Sequence, residues 1–320
     1  AKAFGVKTGV LVRDARKMCP GIIFVEARTE KYVEFHEKII EAVESCLPVS
    51  VVCSIDEMGC YLSGSDREEK NAINIAYEIK RAMKEKVGST IRCSIGIAKN
   101  RFLAKVASDM QKPDGLTVLR PSEMPQNLFK LMPRDFPGVG RQMEKALARF
   151  GVRTTEALFG LTKREMKQAF GGIGGERFYE WIRGNGVGWE QSDLQKTVGH
   201  SHVLPPDLRN MKDAYAVMQR LVHKATARLR RYKLWARGFS AYVSFVNTDR
   251  QGIPTQESWG RSIRVIEAQD TNSFLHALED LWKECPQGKP LKVGMVLYDL
   301  VEDVGHTLSI FGEEKNVNLS

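Results

Sequence analysis

No run of apolar residues approaches the ~18 that a bilayer-spanning helix requires, and no basic-then-apolar leader is visible. A helical membrane protein is not expected. Cysteine is scarce. Cys19, Cys46, Cys53, Cys60, Cys93 and Cys285 are the whole set, and no two are spaced as CxxC. That removes a zinc ribbon and argues against a disulfide scaffold, so reduced thiols in a cytoplasmic protein are expected. Repeats and low-complexity tracts are also absent. Acid is in short supply, with 39 Asp and Glu against 48 Lys and Arg and a net charge of +9. A basic balance favours polyanionic partners through counterion release from phosphates, although a merely basic soluble protein meets it equally well.

What is present reads as a folded, multidomain chain. Hydrophobic residues make up 42% and charged residues 27%, a globular composition. At 320 residues the chain exceeds one ordinary core, and two or three domains are expected. Gly21 to Val25 reads as a strand. Helical spacing from Glu30 to Leu47 places Tyr32, Phe35, Ile39, Ile40, Val43 and Leu47 on one face. Val49 to Ile55 reads as a strand, Ala72 to Val87 as a helix, and Thr90 to Ala98 as an alternating strand. Asn100 caps a helix from Arg101 to Met110, ended by Pro113-Asp114-Gly115, and Leu116 to Leu119 is a short strand. This alternation implies an α/β layer. Residues 121–185 carry short helices broken by glycines. From Thr197 the order is strand 198–204, helix 212–235, strands 239–246 and 258–267, a helix from Thr271 to Cys285, and strand 291–300, a split βαβ pattern.

Four segments carry chemistry. Asp56 and Glu57 follow an apolar run in VVCSIDEMG. Neighbouring carboxylates repel unless solvated or metal-bound, and hard oxygen donors suit Mg²⁺. Such a pair fits two-metal phosphoryl transfer, with a solvated turn as the other reading. Lys112, in QKPDG, either compensates a helix dipole or reaches a triphosphate. Phe136-Pro137-Gly138-Val139-Gly140-Arg141 followed by a helix resembles a helix-hairpin-helix. Gly138 and Gly140 would let backbone N–H groups approach a phosphate, and Arg141 and Lys145 would add charge. An ordinary turn is the alternative, and Gly171–Arg177 is a second, weaker candidate. On helix 212–235, Arg220, Lys224, Arg228 and Arg231 recur every three or four residues away from the apolar stripe. A solvated face would mix signs, so phosphate tracking is favoured. His200 and His202 share one strand face but lack further ligands, and read as ordinary hydrogen-bonding residues. The five tryptophans are scattered, as packing residues are.

Together these pieces resemble the Y-family (UmuC/DinB-like) translesion DNA polymerases. VVCSIDEMG is similar to that family's SIDE motif, and CSIGIAKNRFLAKVASDMQKPDGLTVL to the next palm signature. AKAFGVKTGV…ARKMCP looks like a finger segment, and the resemblance covers nearly the whole chain. It implies an α+β right-hand fold: 1–28 a remnant of the fingers, 29–120 the palm, 121–185 a helix-hairpin-helix thumb, 186–196 a linker, 197–312 the little finger and 313–320 a tail. It implies nucleotidyl transfer past damaged bases, in SOS-type damage tolerance, with primer–template DNA and a dNTP as partners and two Mg²⁺ ions as cofactor. Asp56 and Glu57 would be catalytic, metal-binding carboxylates, and Lys112 would contact the incoming triphosphate. Lys2 would stand where the family often has a phosphate-binding arginine, without that residue's bidentate fork.

The segment Thr307–Phe311, with Leu308, Ile310 and Phe311, looks like a sliding-clamp-binding peptide without its leading glutamine. The family's first strand, with a further aspartate, an aromatic steric gate and a glutamate, is not in this chain, which opens at Ala1 like an interior segment. The resemblance therefore implies a truncated polymerase that binds DNA but polymerises poorly or not at all. Three alternatives follow from the same residues: a non-catalytic Y-family-like accessory protein of mutagenesis, a nucleotidyl cyclase with a related palm, and a plain helix-hairpin-helix DNA-binding protein.

Overall fold

The computed structural model describes residues 1–186, 196–248 and 254–302. The chain forms two compact units, Ala1–Gln191 and Ser192–Ser320.

Unit 1 is mostly helical. Helix α1 (Val12–Met18) and helix α2 (Thr29–Glu44) come first. The strand expected at Gly21–Val25 is not formed. Residues 22–28 are irregular, and Ile23 and Val25 are 85% and 80% exposed. An apolar run becomes a strand only when a neighbour completes its hydrogen-bond ladder, and no described strand lies beside this one. The same limit shortens the next strands. Strand β1 (Val51–Val52) pairs antiparallel with β2 (Met58–Gly59). After helix α3 (Glu69–Ala82), β3 (Ile95–Ile97) runs parallel to β4 (Leu116–Val118) across helix α4 (Arg101–Met110). The expected α/β layer is thus two separate two-stranded sheets among the described residues.

Helix α4 begins where the sequence places it, because the Asn100 side chain accepts from the Leu103 N–H at 2.8 Å. It lies directly on β3. A Cβ on Gly96 would sit 2.0 Å from the Ala104 carbonyl oxygen, so only glycine permits this approach.

Four further helices follow: α5 (Arg141–Arg149), α6 (Thr155–Gly160), α7 (Lys163–Phe170) and α8 (Ile173–Ile182). Thr154 caps α6, and a reciprocal Thr162–Glu165 capping box opens α7. The core here runs across residue 120. Phe102, Leu103, Val106 and Ala107 of α4 share one buried cluster with Phe136, Leu147, Met166, Phe178 and Ile182.

Unit 2 is a four-stranded antiparallel sheet of order β5-β8-β6-β7, with the expected β-α-β-β-α-β chain order. Its elements are β5 (Thr197–Val203), helix α9 (Met211–Arg231), β6 (Leu234–Thr248), β7 (Pro254–Ala268), helix α10 (Thr271–Trp282) and β8 (Pro290–Glu302). Both helices pack on one sheet face. The expected stripe of α9 (Ala214, Val217, Met218, Leu221, Val222, Ala225 and Leu229) is buried against Phe239, Val243, Val293, Met295 and Leu297. Each large aliphatic side chain buried this way contributes about 1.5–3 kcal/mol. Helix α9 stops at Arg231, and Trp235 belongs to β6 instead. Helix α10 starts one residue after its cap, Asp270, whose side chain accepts from the Ser273 N–H. Trp235 and Trp259 are core residues, and Trp189 lies outside the described residues.

No helix among the described residues is long and apolar enough to cross a membrane. All six cysteines are free.

Candidate active site

Asp56 and Glu57 do not extend a strand. They form the turn of the β1–β2 hairpin, closed by hydrogen bonds from the Cys53 and Ser54 N–H groups to the Glu57 carbonyl at 2.8 and 3.0 Å. The Ile55 carbonyl accepts from His36 Nδ1 at 2.7 Å, which ties the turn to α2 and requires the proton on that nitrogen. The two carboxylates have different surroundings. Asp56 is exposed, and its Oδ1 accepts from the Ser54 hydroxyl at 2.6 Å. Glu57 is half-buried and paired with the Lys105 ammonium group on α4.

Lys105 is one member of a longer run of alternating charge. Its Nζ also reaches Asp109, one turn along α4, at 3.2 Å. Asp109 in turn holds Lys112 at 2.6 Å. Glu57, Lys105, Asp109 and Lys112 therefore form one ladder of opposite charges. Burial works against the Lys105 charge, but the hydrogen bond to Glu57 and the carboxylates of Asp109 and Glu57 outweigh it. The lysine is held above its ordinary pKa.

The donor set suits a hard divalent cation. Two neighbouring carboxylates supply oxygen ligands only, and the described residues contain no group of three or more His, Cys, Asp or Glu that would make a closed protein cage. Mg²⁺ takes one or two carboxylates and completes its shell with water and phosphate oxygens, so the residues fit it. Lys2 joins none of these groups among the described residues. It is exposed on a short 3₁₀ turn, Lys2–Phe4.

The expected hairpin glycines are open to solvent. Gly138 has φ +88°, Gly140 caps α5, and a Cβ on either would meet nothing within 4 Å. Arg141 and Lys145 are exposed on α5, while Phe136 and Val139 anchor the turn in the core. The weaker candidate is also a helical hairpin: α7 and α8 are joined through Gly171 and Gly172, both at positive φ. In unit 2, Arg220, Lys224 and Arg231 stand exposed along α9, and Arg228 is half-buried against the Tyr232 ring at 5.6 Å.

Comparison with known proteins decides the family. Residues 1–109 match the impB/mucB/samB family, residues 134–185 the DNA polymerase-iota thumb domain, and residues 195–318 the C-terminal domain of the impB/mucB/samB family. A DNA polymerase IV of Pelotomaculum thermopropionicum is 31% identical over 98% of this chain and 77% of its own length. The chain belongs to the DinB-like Y-family DNA polymerases. A second DNA polymerase IV, from Moorella thermoacetica, is 33% identical over 71% of this Y-family chain and 57% of its own length. A solved Y-family DNA polymerase chimera of Dbh and Dpo4 shares the fold, with a TM-score of 0.74 at 22% identity, over 94% of this chain and 85% of that one.

Several residues of this Y-family chain were missed in the sequence. Lys105 and Asp109 carried a weak signal, since Lys105, Asp109 and Lys112 alternate in charge at helical spacing. Nothing local reveals that Glu57, 48 residues away, completes the run. The sheet face opposite α9 and α10 was missed as well. Tyr242 lies across Gly294 and Tyr298 across Gly238, so closely that a Cβ on either glycine would fall 2.3 Å from the ring. Lys292 stands over Tyr242 at 5.6 Å and Arg264 over Tyr298 at 6.0 Å. Ser240, Ser244 and Ser262 share this face. His200 departs from expectation too: its Nε2 is buried without a hydrogen-bond partner among the described residues. The clamp-like segment Thr307–Phe311 lies outside the described residues.

Proposed function

We propose that this chain carries out template-directed nucleotidyl transfer on primer–template DNA, using a dNTP, as a translesion polymerase with Mg²⁺ held at Asp56 and Glu57. The observation that carries the reading is the charge ladder. It brings Glu57 and Lys112, named separately from the sequence as metal ligand and triphosphate contact, to the two ends of one side-chain chain.

A pair of bound Mg²⁺ ions would activate the primer 3′-hydroxyl and neutralise charge on the departing pyrophosphate. The residues of the chain do the rest. Asp56, exposed at the turn, offers oxygens to the cation, and Ser54 orients its carboxylate. Glu57 presents its carboxylate beside it. Lys112 is 57% exposed and, among the described residues, paired with Asp109 on the surface, so it can turn to the triphosphate. Lys2 remains a candidate second phosphate contact. The open N–H groups at Gly138 and Gly140, with Arg141 and Lys145, suit duplex backbone. In unit 2 both the α9 cations (Arg220, Lys224, Arg228 and Arg231) and the open sheet face with Arg264 and Lys292 suit phosphate. Six free thiols suit a cytoplasmic setting. A sliding clamp would be taken by Leu308, Ile310 and Phe311.

The non-catalytic accessory reading is less favoured, because the carboxylate pair and Lys112 are retained together. The decisive experiment is primer extension by the unmodified chain and by Asp56→Ala, with DNA binding measured in parallel. Extension should vanish in the variant while DNA affinity stays within about twofold. Measurable extension that is equal in the Asp56→Ala and unmodified proteins would sink the reading.

A further inference from the structure

We propose that Lys105 is a built-in counter-ion for the carboxylate site: its ammonium group occupies Glu57 while no divalent cation is bound and releases it when one binds. The proposal rests on the reading of Asp56 and Glu57 as the cation site. Three observations carry it.

First, Lys105 is placed rather than mobile. It sits mid-way along α4, whose start is locked by the Asn100 cap and whose inner face is packed against Phe136 and Phe178. Its side chain is 22% exposed, against 57% for Lys112. Second, the Lys105 ammonium group takes one Glu57 oxygen, Oε1, and its charge beside that carboxylate repels a cation arriving there. Lysine and divalent cation therefore compete for Glu57. Third, Lys105 has somewhere to go. Asp109 already touches its Nζ, so on leaving Glu57 the lysine gives up one of two pairs, not both. A lysine paired to Glu57 alone would be stranded.

The device has a consequence for selectivity. With Lys105 in place, the turn does not hold two uncompensated carboxylates side by side, and a lone divalent ion must compete for Glu57. An ion that arrives on a triphosphate brings further ligands and overcomes that competition more readily. The site is thereby biased towards the metal–nucleotide complex over the bare ion.

The test is a Mn²⁺ titration without nucleotide, read by the electron paramagnetic resonance of free Mn²⁺, on the unmodified protein, Lys105→Met, Lys105→Arg and Asp56→Asn. Methionine keeps the apolar stem and removes the charge; Lys105→Gln is the second variant should Lys105→Met fail to fold by circular dichroism. Neutral variants should bind Mn²⁺ roughly three- to tenfold more tightly, the scale expected for losing one partly buried competing pair. Lys105→Arg should stay near the unmodified value, and Asp56→Asn should lose the site. Unchanged or weaker Mn²⁺ binding in the neutral variants, with Asp56-dependent binding intact, overturns the counter-ion role and leaves the cation site standing. Equal binding by Asp56→Asn and the unmodified protein overturns the cation-site reading, and the counter-ion role with it.

Discussion

The Asn100 side-chain amide donates to the Trp181 carbonyl at 3.0 Å, across 81 residues of sequence. The same group donates to the Asn185 carbonyl at 3.3 Å, while its oxygen caps α4. One buried side chain, 5% exposed, thus starts the helix that carries Lys105 and fastens the end of α8 to it. Asn100→Ala should cost about 2–3 kcal/mol in urea unfolding, a cap plus two buried hydrogen bonds. Asn100→Asp keeps the cap but turns a carboxylate towards two carbonyls, and should be no better. Wild-type stability in the aspartate variant would show that the amide donors contribute nothing.

Two glycines should respond differently to the same added methyl group. At Gly96 the obstacle is the Ala104 backbone oxygen, which cannot move without displacing α4 from β3. At Gly238 the obstacle is the Tyr298 ring, on a sheet face that no described helix of its unit covers, so the ring can lift. Gly96→Ala is expected to cost about 3 kcal/mol or more, and Gly238→Ala about 1 kcal/mol. Thermal unfolding of the two variants measures the order directly; equal losses would mean that Tyr298 is as fixed as backbone.

The two basic surfaces of unit 2 can be separated by salt dependence. Each cation that contacts phosphate lowers the slope of log affinity against log salt by about one when removed. The Arg264→Ala, Lys292→Ala double variant should reduce the slope by between about one and two, because both cations lie over tyrosine rings on the open face while Asp299 already pairs with Arg264. The Lys224→Ala, Arg231→Ala variant on α9 should reduce it by less than about one. Fluorescence anisotropy with duplex DNA between low and physiological salt gives both slopes, and the reverse order would assign the DNA surface to the helix.

Acid should weaken the fold through His200. Burial first, then Arg228 and Lys224, hold its imidazole below the ordinary histidine pKa. The unfolded chain, with a histidine pKa of about 6.5, then binds more protons than the folded one between the two values. Stability is complete above about 6.5 and falls as pH drops through the window towards the folded pKa. His200→Gln removes that one group. Relative to the unmodified protein, the variant should gain stability as pH falls below about 6.5, and the difference between them should be flat above it. A difference that does not change with pH across urea melts would exclude His200 as the source.

Much of this was legible in the sequence where the signal is local. Asn100 as a cap, α4 from Arg101 to Met110, the buried stripe of α9 and the strand–helix order of unit 2 all follow from spacing and capping chemistry. The short strands of unit 1 were overread, because Gly21–Val25 and Val49–Ile55 have strand composition but a ladder needs a partner. The core joining α4 to α5–α8 was not readable either, since Phe102 and Phe178 meet only after the chain has folded back.

For the candidate site, the sequence by itself named the carboxylates and the lysine that we propose carry the chemistry, because residue type and motif spacing are properties of the chain. The tertiary structure decided what each of them touches. Glu57 is separated from Lys105 by 48 residues, and no helical period or strand alternation spans that distance. Only the tertiary approach of the β1–β2 turn to α4 brings ammonium and carboxylate together and makes two sequence motifs one charged ladder.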